Sequence, residues 1–168
     1  TLHRVDKAKR VLDALGELPD PQCALLLLRH CAAFCKLVDS LRAVPPAAHR
    51  DALQRFDQEV QACVESFLCT SFDTSEWILA SLSTKLGGLG LRSTQHHSDA
   101  AFYASHASCR TLCEKVDPCY VWDTSDPTSD ASDALAACNT KMIQDDLLVA
   151  RGDGCSQKEL SQAFDAKT

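Results

Sequence analysis

The sequence has no stretch of about 18 apolar residues, the length a membrane-spanning helix requires. The apolar run Cys23 to Leu28 closes at Arg29 and His30, which argues against a transmembrane helix. No secretory-signal pattern opens the chain. Glycine and proline occur six times each and aromatic residues make up 6%, a composition that excludes a fibre and a low-complexity tail. The only methionine is Met142 and the chain opens on Thr1, so a longer parent polypeptide is expected. No Cys-x2-Cys or His-x3-His occurs among the ten cysteines and six histidines, and the zinc-ribbon pattern is therefore missing. Neither GxGxxG nor a P-loop GK[ST] occurs.

What is present describes a soluble globular protein: 168 residues, 45% hydrophobic and 24% charged, enough for a core built mainly from Leu, Ala, Val and Cys. Without a secretory signal the cysteines are expected as free thiols in a reducing, intracellular setting, with no choice between nucleus and cytoplasm. Cys31-x3-Cys35 and Cys109-x3-Cys113, with Cys119 beyond, place thiols on shared helix faces, where core packing is the expected role. His96, His97 and His106 have no ligand partner at a motif distance. The net charge of -6 is uneven: residues 1–60 carry nine Lys/Arg against eight Asp/Glu, residues 61–168 eight against fifteen. A nucleic-acid surface, if present, belongs to the first half or near the glycines.

The apolar periodicity predicts an all-α fold, an irregular helical bundle of about six to seven helices. Residues 4–15 read as a helix stopped by Gly16. Asp20 and Pro21 open a second, capped and then primed by proline, which should run on from Cys23 through Leu41 to Val44-Pro45-Pro46. On that helix Arg29 and Lys36 fall within about 20° of each other, with Leu27, Cys31, Phe34, Val38 and Leu41 opposite. A third, from about Ala47 to Cys69, buries Leu53, Phe56, Val60, Cys63, Val64 and Phe67. Asp73 and Glu76 form a capping box for a short helix whose Trp77, Ile78, Leu79 and Leu82 should cover the core. Ser93 caps a long helix from Thr94 to Val116, rich in small residues between Ala100 and Ser108. Residues 117–131, with two Asp-Pro steps, read as a loop pinned by Trp122. Beyond it lie a helix from Ser132 to Val149, a turn at Arg151 to Cys155, and a last helix capped by Ser156 and Glu159.

Three glycines, Gly87, Gly88 and Gly90, fall within four positions of "LSTKLGGLGLRST". They permit positive φ and close backbone approach, to a neighbouring helix or to a phosphate.

The order of these pieces resembles the region downstream of the polymerase palm in reverse transcriptase-like proteins of non-LTR retrotransposons. The carriers are "PQCALLLLRHC" with Arg29 and Cys31, Pro45 and Pro46, Phe56 and Asp57, Trp77, and "GGLGLR" from Gly87 to Arg92. The resemblance covers roughly residues 5–115. It implies a thumb-like helical bundle over residues 1–116 and a helical extension over 132–168. In that setting the chain would be the non-catalytic part of an RNA-directed DNA polymerase, gripping the RNA/DNA template-primer through its backbone. Arg29, Lys36, Arg42, Lys85 and Arg92 would supply cations, and Gly87, Gly88 and Gly90 close approach, with packing slightly the better role for the glycines. Catalysis would belong to a palm upstream in the same polypeptide, which would need Mg. The palm's aromatic-Ala-Asp-Asp signature is absent here, since the one adjacent acidic pair, Asp145-Asp146, follows no aromatic residue and reads as surface. The chain therefore presents no catalytic residues, no metal ligands and no cofactor of its own. The competing reading is a stand-alone all-α protein-interaction module without nucleic-acid binding, suggested by the acidic second half.

Overall fold

A computed structural model describes residues 1–141 and 156–167. All regular structure among them is helical, with no strand. The helices are α1 (Leu2–Gly16), α2 (Pro21–Leu27), α3 (Val38–Ala43), α4 (Arg50–Leu68), α5 (Thr74–Ser81), α6 (Thr94–Val116), α7 (Asp130–Lys141) and α8 (Gln157–Lys167). None of them is long and apolar enough to cross a membrane. The chain divides into two compact units, Thr1–Ser40 with His49–His96, and Leu41–Ala48 with His97–Thr168.

The first unit is built on α1 and α4. Val5, Ala8, Leu12 and Leu15 recur at helical spacing and are buried, and they meet the face of α4 that buries Ala52, Leu53, Phe56, Val60, Cys63, Val64 and Phe67. The apolar face expected for α4 is the one observed. Ion pairs flank the seam, Lys9 to Glu59 at 2.6 Å and Arg55 to Asp6 at 2.9 Å. At its end the Ser66 hydroxyl donates to the Gly16 carbonyl at 3.0 Å.

The second predicted helix starts as expected and then breaks. Asp20 accepts from the amides of Gln22 and Cys23, and Pro21 takes the first helical position. From Leu28 to Ala32 the chain widens into a π turn, closed by Ala33 N–H donating to the Leu28 carbonyl at 2.8 Å. Ala33 leaves the helical region at φ -86°, ψ -128°, and a short 3₁₀ turn, Phe34–Lys36, precedes α3. The cause lies in the side chains that are buried: Ala24, Leu28 and Ala32, then Ala33, Leu37 and Leu41. Two runs with a strict four-residue step, offset by one residue, cannot stay on one face of a 3.6-residue helix, and the π turn with its break resets the register. The buried face is accordingly different from the expected one. Leu27 and Cys31 are exposed, Phe34 and Val38 are half-buried, and Leu41 alone of that set is fully buried.

Two further expectations fail on burial. No residue of α5 is buried: of the four residues expected to cover the core, Ile78 and Leu79 are exposed and Trp77 and Leu82 only half-buried. Its capping box is present, Asp73 accepting from Glu76 N–H at 2.8 Å and donating its own to Glu76 at 2.9 Å. Among the described cysteines, only Cys63 and Cys138 are buried. Cys31, Cys35, Cys109 and Cys119 are exposed and Cys113 half-buried, so their shared faces are solvent faces rather than core.

The start of α6 is held by a carboxylate from α4. Asp57 accepts from the Ser93 hydroxyl at 2.6 Å, the Thr94 amide at 2.8 Å, the Thr94 hydroxyl at 2.7 Å and the Gln95 amide at 3.0 Å. Ser93, the cap expected from sequence, accepts from the His96 amide at 3.0 Å. Two caps therefore share one helix terminus, and negative charge there also meets the positive end of the helix dipole.

In the second unit Ala100, Ala104, Cys138, Leu160 and Phe164 form the core. His97 Nε2 meets Asp165 at 3.2 Å and Lys141 meets Asp99 at 2.7 Å. Trp122 pins the loop between α6 and α7, its ring stacked on His106 with centroids 5.0 Å apart. The capping box of α8 is formed by Ser156 and Glu159, as expected. The later part of the predicted Ser132–Val149 helix, the turn at Arg151 to Cys155 and the Asp145-Asp146 pair lie outside the described residues.

Asp57→Ala removes one acceptor from four donors and is expected to cost about 3 kcal/mol, read from the urea midpoint, with Asp57→Asn in between. Burial lowers the His49 and His106 imidazoles below their ordinary value. Their neutral forms are favoured by folding, so their contribution is present above the unfolded histidine pKa and is lost as pH falls from there through the lower, folded value. The melting temperature is expected to drop between pH 7 and 5, and less steeply in the double variant His49→Gln, His106→Gln.

A basic cleft as candidate nucleic-acid interface

The break in the second predicted helix and the glycine segment face one another in the first unit. A cleft of about 500 Å³ is lined by Arg29, His30 and Phe34 from the first stretch and by Ser83, Thr84 and Arg92 from the second, with Gly90 contributing backbone. Arg29 and Arg92 are both half-buried, 63 positions apart in sequence. Neither is ion-paired to a described residue. Among the described residues no Asp or Glu lines the cleft. In a chain of net charge -6, this is a local concentration of uncompensated positive charge.

Each glycine has a separate structural role. Gly87 closes a 3₁₀ turn, Thr84–Leu86, at φ +87° with open space around it. Gly88 lies against the end of α5, where a Cβ would run into the carbonyls of Leu82 and Leu79. Gly90, at φ +74°, lies beneath Arg29, and a Cβ there would come 3.2 Å from Arg29 Nε. The amides are committed to the chain itself: Gly87 donates to Thr84, Gly88 to Ser83, Leu89 to Ala80 and Gly90 to Leu82. Both the close approach and these bonds are packing features, and any ligand in the cleft is left to side chains.

Of the other expected contact residues, Lys36 and Lys85 are exposed on 3₁₀ turns, each directly following a lining residue, Cys35 and Thr84. Lys36 does not share a helical stripe with Arg29, because the helix that would carry both is broken between them. Arg42 belongs to the second unit, where its Nε and Nη2 donate to the Gln157 side-chain oxygen at 3.1 and 2.9 Å. Arg42 is not among the residues that line the cleft. His30, Ser83 and Thr84 line the cleft without having been singled out in sequence. Their only signal was position, one beside Arg29 and two just before Lys85.

No group of three His, Cys, Asp or Glu residues able to hold a metal occurs among the described residues. The two buried thiols are poor ligands and poor nucleophiles, since burial pushes Cys63 up to about 11 and Cys138 up to about 12. Comparison with protein-family models, with curated proteins and with solved structures found no match.

Gly88→Ala is expected to be the most destabilising glycine replacement, because backbone carbonyls obstruct the new Cβ. Gly87→Ala should cost only about 1 kcal/mol, the positive-φ penalty, and Gly90→Ala more than that, since Arg29 must also shift. Chemical denaturation of the three variants gives the order directly.

Proposed function

We propose that this chain is a thumb-like, non-catalytic segment of a retroelement reverse transcriptase. It contacts the backbone of an RNA/DNA template-primer with Arg29 and Arg92 in the cleft and Lys36 and Lys85 beside it. The observation that supports this most is the cleft itself, two half-buried arginines without a carboxylate between them in an acidic protein. Phosphate neutralisation needs clustered cations and no base readout. A second support is that the stretches carrying the sequence resemblance engage one another: Asp57 holds Ser93, Thr94 and Gln95 just beyond "GGLGLR", and Gly90 of that stretch lies under Arg29. The chemistry of nucleotide addition would belong to a palm in the same polypeptide, with its Mg. The described residues offer that metal no ligand set, and the role proposed for this chain involves none.

The stand-alone interaction module remains the second reading, favoured by one observation, the engagement of Arg42, one of the expected contact cations, by the Gln157 side chain. The two readings separate by titration of a labelled RNA/DNA hybrid at several salt concentrations. Affinity should fall with salt with a slope of about -0.9 per phosphate contacted, and Arg29→Gln or Lys85→Gln should each reduce that slope by about 1. A folded chain that binds no hybrid at low salt would overturn the first reading in favour of the second.

A further inference from the structure

Resting on that reading, we propose that the cleft takes one unpaired nucleotide, its phosphate between Arg29 and Arg92 and its base against the apolar wall of Ala33, Phe34 and Val38. Three observations carry it. The first is shape. The site is concave, with a volume of about 500 Å³, in the range of small-ligand pockets of about 300–1,000 Å³. A double helix is too wide to enter and can lay a phosphate only across the mouth, whereas an unpaired nucleotide can be splayed inward.

The second is the division of chemistry within the cleft. Guanidinium groups with no ion-pair partner among the described residues share it with a half-buried aromatic ring and two aliphatic side chains. A phosphate track along a duplex needs only cations, whereas recognition of unpaired bases uses aromatic and guanidinium planes on which a base can stack. The hydroxyls of Ser83 and Thr84 add hydrogen-bonding groups to the lining.

The third is the way Arg29 is held. Gly90 lets the guanidinium rest directly on backbone, with no side chain between, and its positive φ disfavours any other residue there. A guanidinium packed in this way has fewer arrangements to lose when a ligand arrives, which reduces the entropy cost of binding.

The test uses the full chain and fluorescence anisotropy with two probes, a blunt RNA/DNA hybrid and the same hybrid carrying a short single-stranded overhang. The overhang is expected to tighten binding about tenfold or more, the contribution of stacking one base. Phe34→Leu should remove that gain while leaving the blunt hybrid bound as before. Thr84→Glu, at an exposed position on the lip, should weaken the overhang probe more than the blunt one without disturbing the fold, as checked by circular dichroism. Equal affinity for the two probes would overturn the nucleotide site and leave the backbone-contact reading standing. A gain that survives Phe34→Leu and Thr84→Glu would place the unpaired strand elsewhere and also overturn it. Loss of both probes at low salt would overturn the site together with the reading beneath it.

Discussion

The Asp57 carboxylate is the constraint on which the first unit's functional geometry depends. Four donors from Ser93, Thr94 and Gln95 converge on it. Helix α4, already committed to α1 through its buried face, therefore fixes where α6 begins. On the other side of the same short segment, Leu89 and Gly90 donate to carbonyls at the end of α5. Residues 90–92 are thus clamped at both ends, and Leu91 between them is buried. Arg92 owes its position to those clamps, because a loop with neither would sample many arrangements. The opposite wall of the cleft, with Arg29, is set by a different device, the register shift in the second predicted helix.

That shift shows how a sequence pattern and a helix can disagree. Six buried positions recur at a four-residue step with a one-residue offset in the middle. The chain keeps all six inside at the expense of continuous α-helix, and the residues beside the offset, Arg29 and His30 before it and Phe34 and Cys35 after it, become the wall of the cleft. A regular helix here would have buried fewer of these side chains and offered no concavity. π turns are frequent where function needs an irregular surface, and this one has a packing cause as well.

Much of the architecture was legible because it rests on local chemistry. The caps at Asp20, Asp73, Ser93 and Ser156, and the buried face of α4, follow from side-chain types within one turn. Trp122 was recognisable as an anchor because an aromatic ring among Asp, Ser and Thr has few other uses. What escaped was non-local. Asp57 reads as a polar residue on the outer face of an amphipathic helix until α6 comes to it. The break at Ala33 depends on which of several apolar residues find partners, and "CALLLLRHCAAFC" supplies apolar candidates on every face. Cysteine was misjudged for a related reason, since its small apolar side chain fits the interior but nothing in the spacing says whether a neighbour will cover it. The cleft was half visible: Arg29 and Arg92 stood out as cations in significant stretches, but their convergence is tertiary.

The uneven burial of the thiols gives the protein an internal gauge. Cys63 lies in the first unit and Cys138 in the second, each enclosed, while Cys23, Cys31, Cys35, Cys69, Cys109 and Cys119 face solvent. A small alkylating reagent would label the outer set at once and reach each inner thiol only when its own unit opens. The two units can therefore be followed independently, by mass, in one unmodified chain, and opening confined to one of them would show as the delayed labelling of Cys63 alone or of Cys138 alone among these eight thiols.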